Sequence, residues 1–247
     1  VPMATGAGVA YRMGFKTIGL TAEAGVPVRP FSSNLLPFLA PSPNRYSHQW
    51  GAWRWHYDYG NGMQADWGAH HFDIAQWGLG MDGKGPKYVH VFEDQNRSIK
   101  SDTRNICYEY ANGVMVYYGQ PKILAERGYP HGSAMVTFVG TEGVATASRG
   151  GIFWADKPSL RSGKIAPKKD FPYVCEGHKD NFFNAIRPPI CPAEIGVSSC
   201  NMCIIGNIAY KLGRRLEWDW KPRRFVGDSD ANKYLSRKNR GEWANIA

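Results

Sequence analysis

Asp66 and His70 lie four residues apart in the run Gly60-Asn-Gly-Met-Gln-Ala-Asp66-Trp-Gly-Ala-His70-His-Phe-Asp73-Ile-Ala-Gln-Trp77. An imidazole titrates near neutrality, and a carboxylate one helical turn away can orient it and hold its proton, so the pair suits general acid/base work. A helix starting near residue 66 aligns Asp66, His70, Asp73 and Trp77 along one side, with Trp67, His71 and Ile74 on a more apolar neighbouring stripe. The spacing alone equally fits an N-cap Asp66 with a hydrogen-bonded core His70. His71 sits about 100° round the helix and is expected to pack or bond elsewhere. A metal reading takes His70 and Asp73 at i, i+3 with His56 or His48 as a third ligand. No HExxH pattern or Cys/His cluster supports it, so no metal ligand is assigned.

Residues 50–59 add Arg54, His56, Asp58, Tyr57 and Tyr59, and the turn Gly60-Asn61-Gly62 delivers them to the same space as the helix. The polar loop 120–131 contributes Lys122 as a candidate substrate contact among residues expected mainly to be solvated. A Ser-His-Asp or Cys nucleophile is set aside: there is no Gly-x-Ser-x-Gly elbow, and nothing around Cys107 marks it as reactive.

The elements that hold these residues follow from periodicity. Alternation predicts strands over 15–21, 87–93, 104–110, 114–118, 134–139, 144–148 and 152–154, with a type I′ hairpin at Asn112-Gly113. Helices are expected over 176–186 and 194–212, the second ending at Gly213, and Asp228 is a candidate cap for a short helix. Prolines at 27, 30, 37, 41 and 43 predict an extended surface segment, and 155–172 reads as a basic linker. The reading is one α+β domain over 1–247, an open, mostly antiparallel sheet with helices on one face. It has an extended N-terminal segment over 1–50 and a basic C-terminal tail over 214–247.

Composition narrows the partners. The 247 residues are 43% hydrophobic, enough for a core, and the 9 Trp, 13 Tyr and 11 Phe lean slightly toward carbohydrate. The formal charge of +9 gathers in 161–169 and 221–240 without the aromatic interleaving of a nucleic-acid binder, so nucleic acid is excluded as partner and an acidic sugar stays open. No apolar run reaches 18 residues, so no membrane partner is expected. Five cysteines without scaffold spacing point to a reducing compartment, and Cys200-Asn-Met-Cys203 reads as buried helix cysteines. The location expected is cytoplasmic, or periplasmic or secreted if a leader preceded residue 1. Gly6-Ala7-Gly8 is no dinucleotide fingerprint, because Tyr11 fills the next required glycine position.

The segment from Gly60 to Asp73 resembles the Gly-Gly-x-x-x-Asp-x-Gly-x-His-x-x-Asp signature of the glucose-fructose oxidoreductase, inositol dehydrogenase and MocA family (Gfo/Idh/MocA). Likeness continues through Phe138-Val-Gly-Thr-Glu-Gly143, Gly206-Asn-Ile-Ala-Tyr-Lys-Leu-Gly-Arg214 and Arg224-Phe-Val-Gly-Asp228. The resemblance implies the family's C-terminal substrate and oligomerisation domain, with one sheet face often used for homo-oligomer contacts. It implies His70 as catalytic acid/base with Asp66 as its partner, beside a sugar or polyol carbon that exchanges hydride with NAD(P). By the same resemblance His71 contacts substrate; Asp73 on the helix, Arg54, His56, Tyr57 and Tyr59 from the preceding segment and Lys122 from the polar loop complete the expected substrate set from their own positions. The family's usual Rossmann half, with its glycine fingerprint and Glu-Lys-Pro segment, has no counterpart here, so the cofactor is left open, NAD(P) or a divalent metal. The function expected is a carbohydrate-active oxidoreductase-class protein. The alternatives are a cofactor-independent, metal-assisted carbohydrate lyase or hydrolase, and a non-catalytic sugar-binding or oligomerisation module.

Overall fold

The computed structural model describes residues 15–21, 61–92, 105–119, 126–130, 135–148, 153–161, 177–184 and 191–236. Strands are β1 (Phe15–Thr21), β2 (Tyr88–Val91), β3 (Ile106–Glu109), β4 (Met115–Tyr118), β5 (Met135–Gly140), β6 (Val144–Ser148), β7 (Phe153–Ala155), β8 (Leu216–Asp219) and β9 (Arg224–Phe225). Helices are α1 (Met63–Gly78), α2 (Pro158–Arg161), α3 (His178–Asn184), α4 (Ala193–Leu212) and α5 (Ser229–Asn232). The strands form one open sheet in the order β7-β6-β5-β1-β4-β3-β2-β8-β9. All described pairings are antiparallel except β1 with β4, whose register runs from Thr17 opposite Met115 to Leu20 opposite Tyr118. The expected α+β class and mostly antiparallel sheet are therefore present.

Alternation sorts the strands into two faces, as the pleat requires. Val89, Ile106, Tyr108, Val116, Tyr118, Val136 and Phe138 are buried on the face that meets the helices, within the main apolar core. Tyr88, His90, Glu109, Met115 and Tyr117, at the alternate positions, are only half-buried. On the covered face α1 and α4 pack against each other and against the central strands. Phe72 of α1 is fully buried between the rings of Tyr108 (centroids 5.2 Å, 76°) and Tyr118 (5.4 Å, 28°). Gly68, one turn before it, lets the helix approach the sheet, since a Cβ there would already lie 3.3 Å from Tyr118 Cε2.

Several expectations change in detail. Helix α1 begins at Met63, not near Asp66, because Asn61 and Gly62 adopt left-handed φ values of 59° and 76° and turn the chain into the helix earlier. The Asn112-Gly113 hairpin exists, but only Gly113 has positive φ (83°), so the turn is not type I′. Gly113 N–H donates to Tyr110 O and Tyr110 N–H to Val114 O, the pattern of a three-residue loop closed by a glycine bulge. Within the expected basic tail, residues 216–219 and 224–225 are strands and Leu216, Trp218 and Phe225 are core residues. The flanking charges concealed a four-residue Leu-Glu-Trp-Asp alternation that pairs with β2. Gly213 ends α4 in the left-handed region (φ 65°), and Asp228 caps α5, accepting from Ala231 N–H at 2.9 Å, both as expected. The prolines of 24–47 lie outside the described residues.

Candidate functional site: the outer side of helix α1

Helix α1 is fixed by polar contacts on its inward side. Asn207 of α4 donates to Asn61 O at 2.8 Å, pinning the helix entry. Gln64, 1% exposed, donates to Tyr108 Oη at 2.7 Å and to Cys203 O at 3.2 Å, while Tyr108 Oη donates to Met202 O at 2.8 Å. Near the other end, Gln76 donates to Lys84 O and Ser198 Oγ, each at 2.9 Å, and accepts from Tyr110 Oη. Buried amide N–H groups left unpaired are costly, so these bonds favour this rotation of α1 about its axis.

That rotation leaves Asp66, His70, Asp73 and Trp77 exposed or half-buried, the side expected from their spacing. His70 is the exposed member, its ring edge-on to Trp67 with centroids 6.2 Å apart. Asp66 stands in the first helical turn, where a carboxylate complements the positive end of the helix dipole. It is not the N-cap: Gly62 holds that position, and the Asp66 N–H donates to Gly62 O at 3.1 Å. The capped-helix alternative for Asp66, and with it a core His70, is thereby removed.

The remaining expected site residues separate. His71 is 4% exposed, and its Nδ1 lies 2.9 Å from Trp67 O; since a carbonyl only accepts, Nδ1 carries the proton. Asp73 accepts from Ser199 Oγ of α4 at 2.8 Å, so its carboxylate is tied to the second helix. Its charge and burial raise the carboxyl pKa of Asp82 above the usual value, burial being the larger cause. The Cys191 thiol beside this corner is also pushed up, by burial first and then by Asp73 and Asp82. Arg54, His56, Tyr57, Tyr59, Lys122 and the third metal candidate His48 lie outside the described residues. Among the described residues no three His, Cys, Asp or Glu side chains converge as a metal site. Cys203 is buried as expected, but Cys200, one turn earlier on α4, is exposed. Cys107 is buried in β3 with its thiol pushed up to about 12 by burial, unlike a reactive thiolate.

Gln64, Gln76, Ser199 and Asn207, which hold α1 and Asp73, belong to no recognisable motif. Their signal was present as polar residues at positions that a helix places inward.

A pyrophosphate is held at an open, glycine-rich helix N-terminus. The α1 N-terminus has Gly62 and Met63 buried and Asn61 bound to Asn207, and α4 opens with Pro192 and the acidic Glu194. Neither fits that group.

Fold and geometry together define an α+β domain whose covered sheet face carries a helix with Asp66, His70, Asp73 and Trp77 on its outer side. Residues 7–144 and 153–245 match the family model described as oxidoreductase family, C-terminal alpha/beta domain, and the chain belongs to this Gfo/Idh/MocA family. Among solved structures, it is similar to the WlbA dehydrogenase from Bordetella pertussis in complex with NADH and UDP-GlcNAcA, with 14% identity and TM-score 0.53 over 89% of this chain and 64% of that one. It is also similar to GenD2 from gentamicin A biosynthesis in complex with NAD, with 15% identity and TM-score 0.51 over 88% and 60%. A third is a dehydrogenase structure from Bordetella bronchiseptica, with 13% identity and TM-score 0.51 over 87% and 66%. At these identities the likeness concerns the fold. The chain spans less than two thirds of the length of each. No curated protein sequence matches it. No described helix is long and apolar enough to cross a membrane.

Proposed function

We propose that this chain is the substrate-binding part of a sugar or polyol oxidoreductase, with His70 as the acid/base and Asp66 as its positioning partner. The observation that carries this reading is the rotation of α1: the Gln64 and Gln76 amide N–H groups bond to the sheet and to α4, and the exposed imidazole stands on the side opposite them. An imidazole there can take the proton from a substrate hydroxyl while the hydride of that carbon passes to a nicotinamide, and return the proton in the reverse direction. Neither the α1 nor the α4 N-terminus fits a pyrophosphate, so the part proposed for the described residues is the proton movement. The substrate class is a small or oligomeric carbohydrate, and the chain's +9 charge favours an acidic one.

Homo-oligomer contact through the helix-free sheet face belongs to the same reading. It is supported by the half-buried Tyr88, His90, Met115 and Tyr117 there, and by Arg215, which forks onto Glu109 (3.0 and 2.7 Å) and stacks 3.6 Å above the Tyr88 ring. Light scattering on the purified protein reads the mass directly; a monomer at all concentrations overturns this part.

The catalytic reading is tested with NAD(P)-linked oxidation over a panel of sugars, polyols and uronates, comparing the wild type with Asp66→Asn and His70→Asn. Loss of a positioned acid/base lowers kcat by about 10²–10⁴-fold with KM little changed. Activity that survives both substitutions in folded protein overturns the assignment. Titrating the chain with NAD(H) and NADP(H) checks the cofactor argument separately, since tight binding to it contradicts the poor fit of the described helix termini.

A further inference from the structure

Past the C-terminus of α1, the loop 83–86, the first half of α4 and the β8–β9 hairpin enclose a groove of about 170 Å³. His70 and Gly78 are eight residues apart on a helix that rises 1.5 Å per residue, roughly 12 Å, so the groove is separate from the acid/base side of α1. Its volume lies below the roughly 300–1,000 Å³ of sites for drug-sized ligands and suits one small ring.

Two indoles and three cations line it. Trp218 is nearly buried, edge-on to Phe225 at 4.9 Å, whereas Trp220 at the hairpin tip is 40% exposed. The bare backbone of Gly85 lies against both: a Cβ there would stand 3.6 Å from Trp218 Nε1 and 3.3 Å from Trp220 Cβ. Lys84, Lys221 and Arg223 face one carboxylate, Glu194, leaving an excess of two positive charges around the opening. The wall is held in place, because Lys84 O accepts from both Ser198 Oγ (2.6 Å) and Gln76 Nε2 (2.9 Å).

Arg223 supplies a second observation. It adopts φ 56°, a left-handed conformation that glycine takes without strain and an L-residue with a long side chain rarely does. The hairpin tip Trp220-Lys221-Pro222-Arg223 could turn more easily with glycine there, so turn geometry does not account for arginine at this position. Strain of this kind gathers where a side chain is needed for binding.

We propose that this groove is a second saccharide site, taking one six-membered sugar ring that bears a carboxylate or a phosphate. The C–H face of the ring packs on the exposed Trp220 indole, whose π face is electron-rich. The anionic substituent meets the Arg223 fork and the Lys84 and Lys221 ammonium groups, giving charge-assisted hydrogen bonds. The site does not depend on the role given to Asp66 and His70.

Calorimetric titration of the purified chain with glucuronate, glucose 6-phosphate, glucose and inorganic phosphate tests it. Saturable binding is expected for an anionic sugar, the glucuronate and glucose 6-phosphate arms showing which anion is taken, with glucose and inorganic phosphate at least about tenfold weaker, the effect of one lost contact class. Trp220→Ala and Arg223→Gly are each expected to weaken binding about tenfold or more, while His70→Asn leaves it unchanged. Trp220 is surface-exposed and glycine suits the φ of Arg223, so both variants should keep the wild-type unfolding midpoint. The proposal is overturned if neither anionic sugar binds up to about 10 mM, if glucose or inorganic phosphate binds as well, or if both variants bind like the wild type.

Discussion

Gln64 and Gln76 on the inward side of α1, and Asp66 and His70 on its outer side, are polar residues of the same sixteen-residue helix with opposite relations to their surroundings. The two glutamines are 1% exposed and bonded into α4 and the sheet, and their hydrogen bonds fix the helix. His70 is exposed, and it can exchange a proton with a molecule from outside. Burial therefore separates the two kinds of polar residue: the first fix the helix, and the second face outward. A residue such as Asp73 stands between them, half-buried and already bonded to Ser199.

Breaking each side should give different signatures. The largest effect is on catalysis: His70→Asn is expected to cost about 10²–10⁴-fold in kcat while stability stays within about 0.5 kcal/mol, read by kinetics beside thermal unfolding. Next is Gly206→Ala on α4. A Cβ there would fall 2.0 Å from Tyr108 Oη and 2.1 Å from Gln64 Nε2, both buried and bonded to each other. Those atoms have no room to retreat, so a loss of about 3 kcal/mol in denaturant unfolding is expected. Gln76→Leu leaves the Tyr110 hydroxyl with only the weak Met202 Sδ acceptor and Lys84 O without one of its donors, at about 2 kcal/mol. An unfolding midpoint unchanged by Gln76→Leu would erase the contrast between the two sides.

Smaller effects sharpen it at the edges. Asp228→Ala removes the cap of α5 and the 2.7 Å pairing with Arg214, at about 1 kcal/mol. The Asp228 carboxyl is held below its ordinary 3.8 first by the Ala231 N–H and then by Arg214. Its contribution is thus full above 3.8 and lost as pH falls through the lower folded value, where variant and wild type should converge. Asp82 has the opposite sign. Burial, and then Asp73, raise its folded pKa above 3.8, so its charge weakens the fold at neutral pH. Asp82→Asn should raise the midpoint by a few degrees or less at pH 7, a gain that disappears below about pH 3.8.

Much of the fold was legible because period two and period 3.6 are local. Phe15–Thr21 and Val144–Ser148 are the strands their alternation specified, and Gly213 and Asp228 end and begin helices as their chemistry requires. Beta strands 8 and 9 were hidden because their stability comes from pairing with β2 and from the burial of Trp218 and Phe225, while their own residues are flanked by charge. Asp66 and His70 were legible as a pair at one-turn spacing. The bonds that aim them were not, since Gln64 reaches Cys203 across 139 residues and Gln76 reaches Ser198 across 122.

The sequence by itself determined the α+β class, the helix that carries Asp66 and His70, and the angle between those residues on it, because all three depend on neighbours within a few positions. Tertiary structure decided which side of that helix faces outward, that β1 lies inside the sheet between β4 and β5, and that Trp218 and Trp220 meet Lys84 at one groove. Those outcomes depend on satisfying buried amides and filling a core with residues far apart in the chain, and no local pattern encodes that sum.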